Sequence, residues 1–183
     1  MAINQFNLAT GQRAERKTLI TVVEWKEGVG TDAVTEREIL GTRTPDSSIQ
    51  YNADISTETD IRGINYTDMN KTQPQQDFDP YLILGGSKLG AKLNDIRRRN
   101  ALSELSQFTA YIITAFIGDA ENGYDAERHG NCTIAYTAMG GDSNVNFPIS
   151  LYLSNDYAGL GAPQLGKVDK LSPDFEFTPD TTL

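Results

Sequence analysis

The sequence predicts a mainly β fold: two packed β-sheets, sandwich-like or barrel-like, with one flanking α-helix and a long extended loop. Three observations carry this reading. Ile49, Tyr51, Ala53 and Ile55 alternate with Gln50, Asn52, Asp54 and Ser56, the two-residue period of a half-buried strand. Residues 108–117 (Phe-Thr-Ala-Tyr-Ile-Ile-Thr-Ala-Phe-Ile) are apolar on both faces, as a strand covered from both sides must be. One clear stretch has helical spacing: Leu89, Leu93 and Ile96 lie four and three residues apart behind Ser87, an N-cap residue.

The elements follow in order. Residues 18–25 (Thr-Leu-Ile-Thr-Val-Val-Glu-Trp) are rich in β-branched side chains and form the first strand. A turn-rich link with Gly28 and Gly30 leads to a second strand within residues 34–43, ended by Pro45, and a third over 48–55. No tight hairpin follows the third strand. The chain runs on as a long polar arm, about residues 56–78, holding Gln73, Pro74, Gln75 and Gln76. A connection of this length inside a compact domain marks a binding arm or disorder. Its aromatic and β-branched residues favour an arm that docks on another subunit. The helix occupies about residues 87–100. Strands over 132–139 and 146–153 flank the turn Gly140-Gly141-Asp142-Ser143-Asn144, and a late strand over 175–177 precedes Pro179.

With 183 residues and no Pro/Gly/Ser-rich linker between hydrophobic blocks, one domain spanning 1–183 is expected. No apolar run approaches the roughly 20 residues that cross a bilayer. The first six residues lack a basic region followed by an apolar one, so cytosolic synthesis and no membrane partner are expected. The formal charge of −9 argues against gripping nucleic acid through its phosphates. Between Tyr81 and Gly118, five basic residues against two acidic ones give +3, so the remainder carries −12. A basic helix set among acidic loops and strands suits opposite-charge contact between copies.

The residues point to no enzymatic activity, metal or cofactor, and none is expected. Cys132 is the only cysteine and reads as a small buried hydrophobe. His129, the only histidine, sits in a polar turn, Glu127-Arg128-His129-Gly130-Asn131, and reads as a surface-loop residue with no nucleophile elbow to serve. Gly85-Gly86-Ser87-Lys88-Leu89-Gly90 lacks the Gly-Lys-Ser/Thr ending of a phosphate loop. The turn at Asp142 lacks the spaced carboxylates of a calcium loop. Arg97-Arg98-Arg99 has no interleaved aromatics, so it reads as an exposed helix face meeting an acidic neighbour rather than nucleic acid.

Several words of the middle third are familiar together. They are Asp-Ser-Ser-Ile-Gln-Tyr-Asn-Ala-Asp-Ile (46–55), Thr-Asp-Ile-Arg-Gly-Ile-Asn-Tyr-Thr-Asp (59–68) and Asn-Lys-Thr-Gln-Pro (70–74). Phe-Asp-Pro-Tyr (78–81), Gly-Gly-Ser-Lys-Leu (85–89) and Arg-Asn-Ala (99–101) continue the series, with looser likeness through 130–148. In order and spacing these resemble the tail tube, or major tail, proteins of long-tailed bacteriophages, most closely those infecting Gram-positive bacteria. The resemblance implies the tail tube fold, a homohexameric ring, and rings stacked into a hollow tube that conducts the genome into the host. It implies partners that cap and measure the tail: tape-measure, tail terminator and distal tail proteins. DNA would pass through the lumen without specific binding, and the protein would reside in the virion after synthesis in the host cytoplasm. The immunoglobulin-like C-terminal domain of some relatives is not expected here.

Inter-subunit candidates are Thr57, Glu58, Asp60, Ile61, Tyr66, Arg97, Arg98 and Arg99; lumen candidates are Asp54, Glu58 and Asp60. Two alternatives stand beside this reading. One is the inner tube of a contractile injection system. The other is a soluble carbohydrate- or protein-binding β-sandwich module, which would need clustered aromatic anchors, whereas Tyr51, Tyr66, Tyr81, Tyr152 and Tyr157 are scattered along the chain.

Overall fold

Alternation along β1 (Leu19–Glu27) sends Val22 to one side of the sheet and Val23 to the other, and both are fully buried. The computed structural model describes residues 6–28 and 30–180. Residues 1–5, read above for a secretory signal, lie outside the described residues, as do Val29 and residues 181–183. β2 (Val34–Ile39) pairs antiparallel with one edge of β1, and β7 (Phe108–Asp119) with the other. β8 (Gly123–Tyr136) then pairs along β7.

Here the sheet forks. Residues 124–128 of β8 take β10 (Gln164–Val168), which carries β11 (Phe177–Pro179). Residues 133–136 take β9 (Ile149–Tyr152), then β6 (Gln75–Phe78) and the two-residue β3 (Ile49–Gln50). Between the two halves the register against β7 shifts, with Phe108 opposite Cys132 but Ala110 opposite His129, and Asn131 turns left-handed at φ 50. Such a bulge bends its strand and increases the twist, which lets one strand serve two layers.

The layers fold over a core containing Val23, Phe78, Phe108, Ile112, Ile134, Phe147, Ile149 and Leu151. α1 (Lys88–Arg99) closes it with Leu89, Leu93 and Ile96, all fully buried. A second core lies on the opposite face of β1 and β7, where Val22, Tyr111 and Ile113 meet Ala126, Val168 and Phe175. Two cores explain why residues 108–117 are apolar on both sides. Thr21 and Gln76, both buried, join the layers through a 2.7 Å hydrogen bond from the Thr21 hydroxyl.

The helix begins and ends where its caps predict. The Ser87 hydroxyl accepts from the Gly90 amide at 3.0 Å, and Asn100 ends α1 in the left-handed conformation. The anchor of α1 comes from β2. Glu38 accepts hydrogen bonds from the Tyr81 hydroxyl (2.8 Å), the Ser87 hydroxyl (3.0 Å) and the Leu89 amide (3.0 Å). A carboxylate at a helix N-terminus also meets the positive end of the helix dipole. Burial, with Glu38 close by, pushes the Tyr81 phenol well above its ordinary range.

The structure corrects several expectations. The strand over 48–55 is broken: only Ile49–Gln50 joins the sheet, and Asn52 at φ 42 interrupts the chain before β4 (Asp54–Thr59). The arm is not an extended loop. β4 pairs with β5 (Asn65–Lys71) in a two-stranded antiparallel hairpin. The arm also ends earlier than residue 78, because residues 75–78 are β6, with Gln76 and Phe78 buried in the body. His129 is no surface-loop residue. It lies inside β8 and is 4% exposed, its Nδ1 2.6 Å from the Ser154 carbonyl. The polar residues around it hide the strand's first half. The late strand begins at Phe177, while Phe175 packs edge-on against Tyr111 at 5.0 Å. β10 has no counterpart among the expected strands.

The Glu38 anchor is testable by urea unfolding. Glu38→Ala should cost about 2–3 kcal/mol, because it strands part-buried donors. Glu36→Ala removes a surface ion pair to Lys88 and should cost less than about 1 kcal/mol.

Candidate assembly surface

The residues singled out between 54 and 66 come together on the β4–β5 hairpin. Its neck is closed by the Gln73 amide donating to the Tyr51 carbonyl (2.8 Å) and the Asn52 side chain to the Gln73 carbonyl (3.1 Å). Asp60 organises the turn at residues 60–64. Its carboxylate accepts from the Arg62 and Ile64 amides at 2.8 and 2.9 Å, its main chain pairs with Ile64, and Gly63 supplies a φ of 79. This is a side-chain-built turn, which is why no Asn-Gly hairpin signal announces it. The Ile64 amide, with help from Arg62 and Tyr66, holds the Asp60 carboxyl below its ordinary range.

Register sorts the hairpin into two faces. Ile55 stands opposite Met69, Thr57 opposite Thr67 and Thr59 opposite Asn65, so one face is uncharged. Ser56 stands opposite Asp68 and Glu58 opposite Tyr66, whose hydroxyl reaches toward Asp60 at 3.4 Å, so the other is acidic. Thr57, Glu58, Ile61 and Tyr66 are all exposed, and Ile61 at the tip is completely so. Ile55 and Met69 are 60% and 64% exposed. Asp54 lies at the root, beside a register irregularity. A lone two-stranded hairpin is marginally stable in water, and this one exposes apolar side chains and open strand edges.

Sequence reasoning missed Ile55, Thr67, Asp68 and Met69 as members of this surface. The signal is present in the alternation of residues 65–71, masked because no position there is buried.

The three arginines share the last turn of α1 but differ in state. Arg99 is engaged within the chain, at 2.7 Å from Asp95 and 2.8 Å from Glu104. Arg97 donates to the Asn94 side chain at 2.9 Å. Arg98 is exposed, and among the described residues it has no ion-pair or hydrogen-bond partner. Lys92 also reaches Glu104, at 3.0 Å. Arg99 first and Lys92 second hold the Glu104 carboxyl down at about 2.

These groups border a groove of about 840 Å³ lined by both signs of charge, including Glu24, Glu27, Lys92, Asp95 and Arg128. Of the five tyrosines named above, only Tyr157 lines it, and Tyr81 is a core residue. Cys132 is fully buried, and burial pushes its thiol up to about 11. Among the described residues, no three His, Cys, Asp or Glu side chains stand together as metal ligands, and no helix is long and apolar enough to cross a membrane.

No protein-family model, curated protein or solved structure matches the chain.

The arginine cluster has a pH signature. Glu104 should titrate at about 2 rather than at its ordinary 4.5, and Arg99→Ala should move it upward. Because the folded value is depressed, any stability it contributes is present above pH 4.5 and is lost as the pH falls toward 2. Carboxyl-resolved NMR titration of both proteins checks the direction.

Proposed function

We propose that this chain is a structural, non-enzymatic protein: a phage tail tube subunit that self-assembles into stacked six-membered rings. One observation carries the reading. A folded two-core body holds out a hairpin whose side chains, apolar ones included, are almost all exposed. Exposed apolar surface projecting from a well-packed domain marks an interaction site. The sequence resemblance to tail tube proteins covers the same segment.

The remaining physics agrees. β2 and β3 end the path through the sheet, and such edges are templates for pairing. Edge-to-edge closure into a ring would remove them. An arm reaching another ring makes a heterologous contact that does not close on itself and therefore propagates. Six copies of a −9 chain carry −54, a charge that would keep DNA sliding rather than sticking. In this reading the protein resides in the virion tail, with tape-measure, terminator and distal tail proteins as its partners.

Concentrated protein should form rings or tubes in negative-stain images and large species by light scattering. Protein that stays monomeric across salt and concentration would sink the reading. Replacing residues 55–70 by Gly-Gly should keep a cooperative melting transition but abolish tube growth. Tubes of ordinary length from that variant would remove the hairpin from the interface.

A further inference from the structure

The fold leaves two oppositely charged surfaces unneutralised on the same chain. Glu58 and Asp68 share one face of the hairpin with Tyr66 and Ser56, and neither carboxylate has a cation partner among the described residues. The arm's two cations do not cover that face: Arg62 pairs with Asp60 at the turn (3.2 Å), and Lys71 is at the root opposite Asp54. On α1 the imbalance has the opposite sign. Lys88 is paired with Glu36, Lys92 with Glu27 and Glu104, and Arg99 with Asp95 and Glu104. That leaves Arg97 and Arg98, adjacent and exposed, without a carboxylate among the described residues.

We propose that the acidic face of the hairpin docks on the Arg97–Arg98 end of α1 in a second copy of this chain. The inference rests on the self-assembly reading above and specifies which surfaces meet. Charge complementarity selects the occupant. A polyanion would be repelled by Glu58 and Asp68, whereas this same chain supplies the matching cations. Arginine can grip carboxylates bidentately, and Tyr66 between the two acids offers a ring for a guanidinium to cover. The two surfaces lie on different elements, so the contact is heterologous: each copy uses its hairpin on one neighbour and its helix on another. The uncharged face with Ile55, Thr57, Thr67 and Met69 stays available for other contacts. Complementary charges set register and encounter rate more than affinity.

The test uses charge reversal in the full chain, with assembly followed by light scattering and sedimentation velocity. One variant carries Glu58→Arg and Asp68→Arg; another carries Arg97→Glu and Arg98→Glu. All four sites are exposed, and melting curves like the wild type's establish that each variant folds. Each variant alone should need about tenfold or more higher concentration to assemble than the wild type. Mixed one to one, the two should assemble again, because unlike neighbours then match at both surfaces. A single chain with all four substitutions should also assemble.

If the wild type assembles and either variant does so equally well, the docking assignment is overturned while the tube reading survives. The docking assignment also fails if both variants are impaired and neither the mixture nor the fourfold variant recovers, which would point to a different occupant for one of the surfaces. A wild type that never assembles overturns both proposals.

Discussion

The one-residue bulge in β8 is the constraint from which the architecture follows. A regular strand of fourteen residues would carry one flat ladder on each edge. The bulge before Cys132 instead turns the strand's second half toward β9 while its first half stays with β10. Both cores depend on that turn. Ala126, ahead of the bulge, belongs to the core with Tyr111, whereas Cys132 and Ile134, beyond it, belong to the core with Phe108. His129 fastens the joint by meeting the Ser154 carbonyl, and the Gly130 amide donates to the Asp156 carbonyl at 3.0 Å. The chain's single histidine therefore has a structural use.

Much of the body is legible in the sequence. β1, β7 and α1 are read directly because their side chains obey one rule over many residues: double-sided burial in β7, helical spacing and a Ser87 cap in α1. The failures share a physical cause. The first half of β8 carries Asp125, Glu127 and Arg128 on a covered sheet, and Arg128 hides its charge by stacking 4.4 Å above the Tyr157 ring. Polar residues satisfied by long-range partners look like loop residues in one dimension. At residues 49–55 the error runs the other way. Alternation continues across Asn52, yet the left-handed residue there breaks the strand, and alternation alone cannot register a change in backbone handedness.

The hairpin is partly legible for a third reason. Its length and content mark an arm, but burial is the usual guide to strand register, and here there is none. Only the paired geometry separates an uncharged face from an acidic one, and only that separation distinguishes Thr57 from Glu58 in what each can meet. The arginines are likewise indistinguishable as Arg-Arg-Arg. Their different partners come from Asp95 one turn back and Glu104 beyond the helix, which neutralise Arg99 and spare Arg98.

Cys132 has a practical consequence. Its sulfur is fully enclosed and its thiol is held protonated up to about 11, so reagents that need a thiolate are kept away while the core is intact. Since no second sulfhydryl competes, the rate at which a maleimide or disulfide dye labels this chain becomes a clock for opening of the interior. If the chain assembles as proposed, comparing that clock in dispersed and assembled material would measure how far neighbours damp the breathing of each copy.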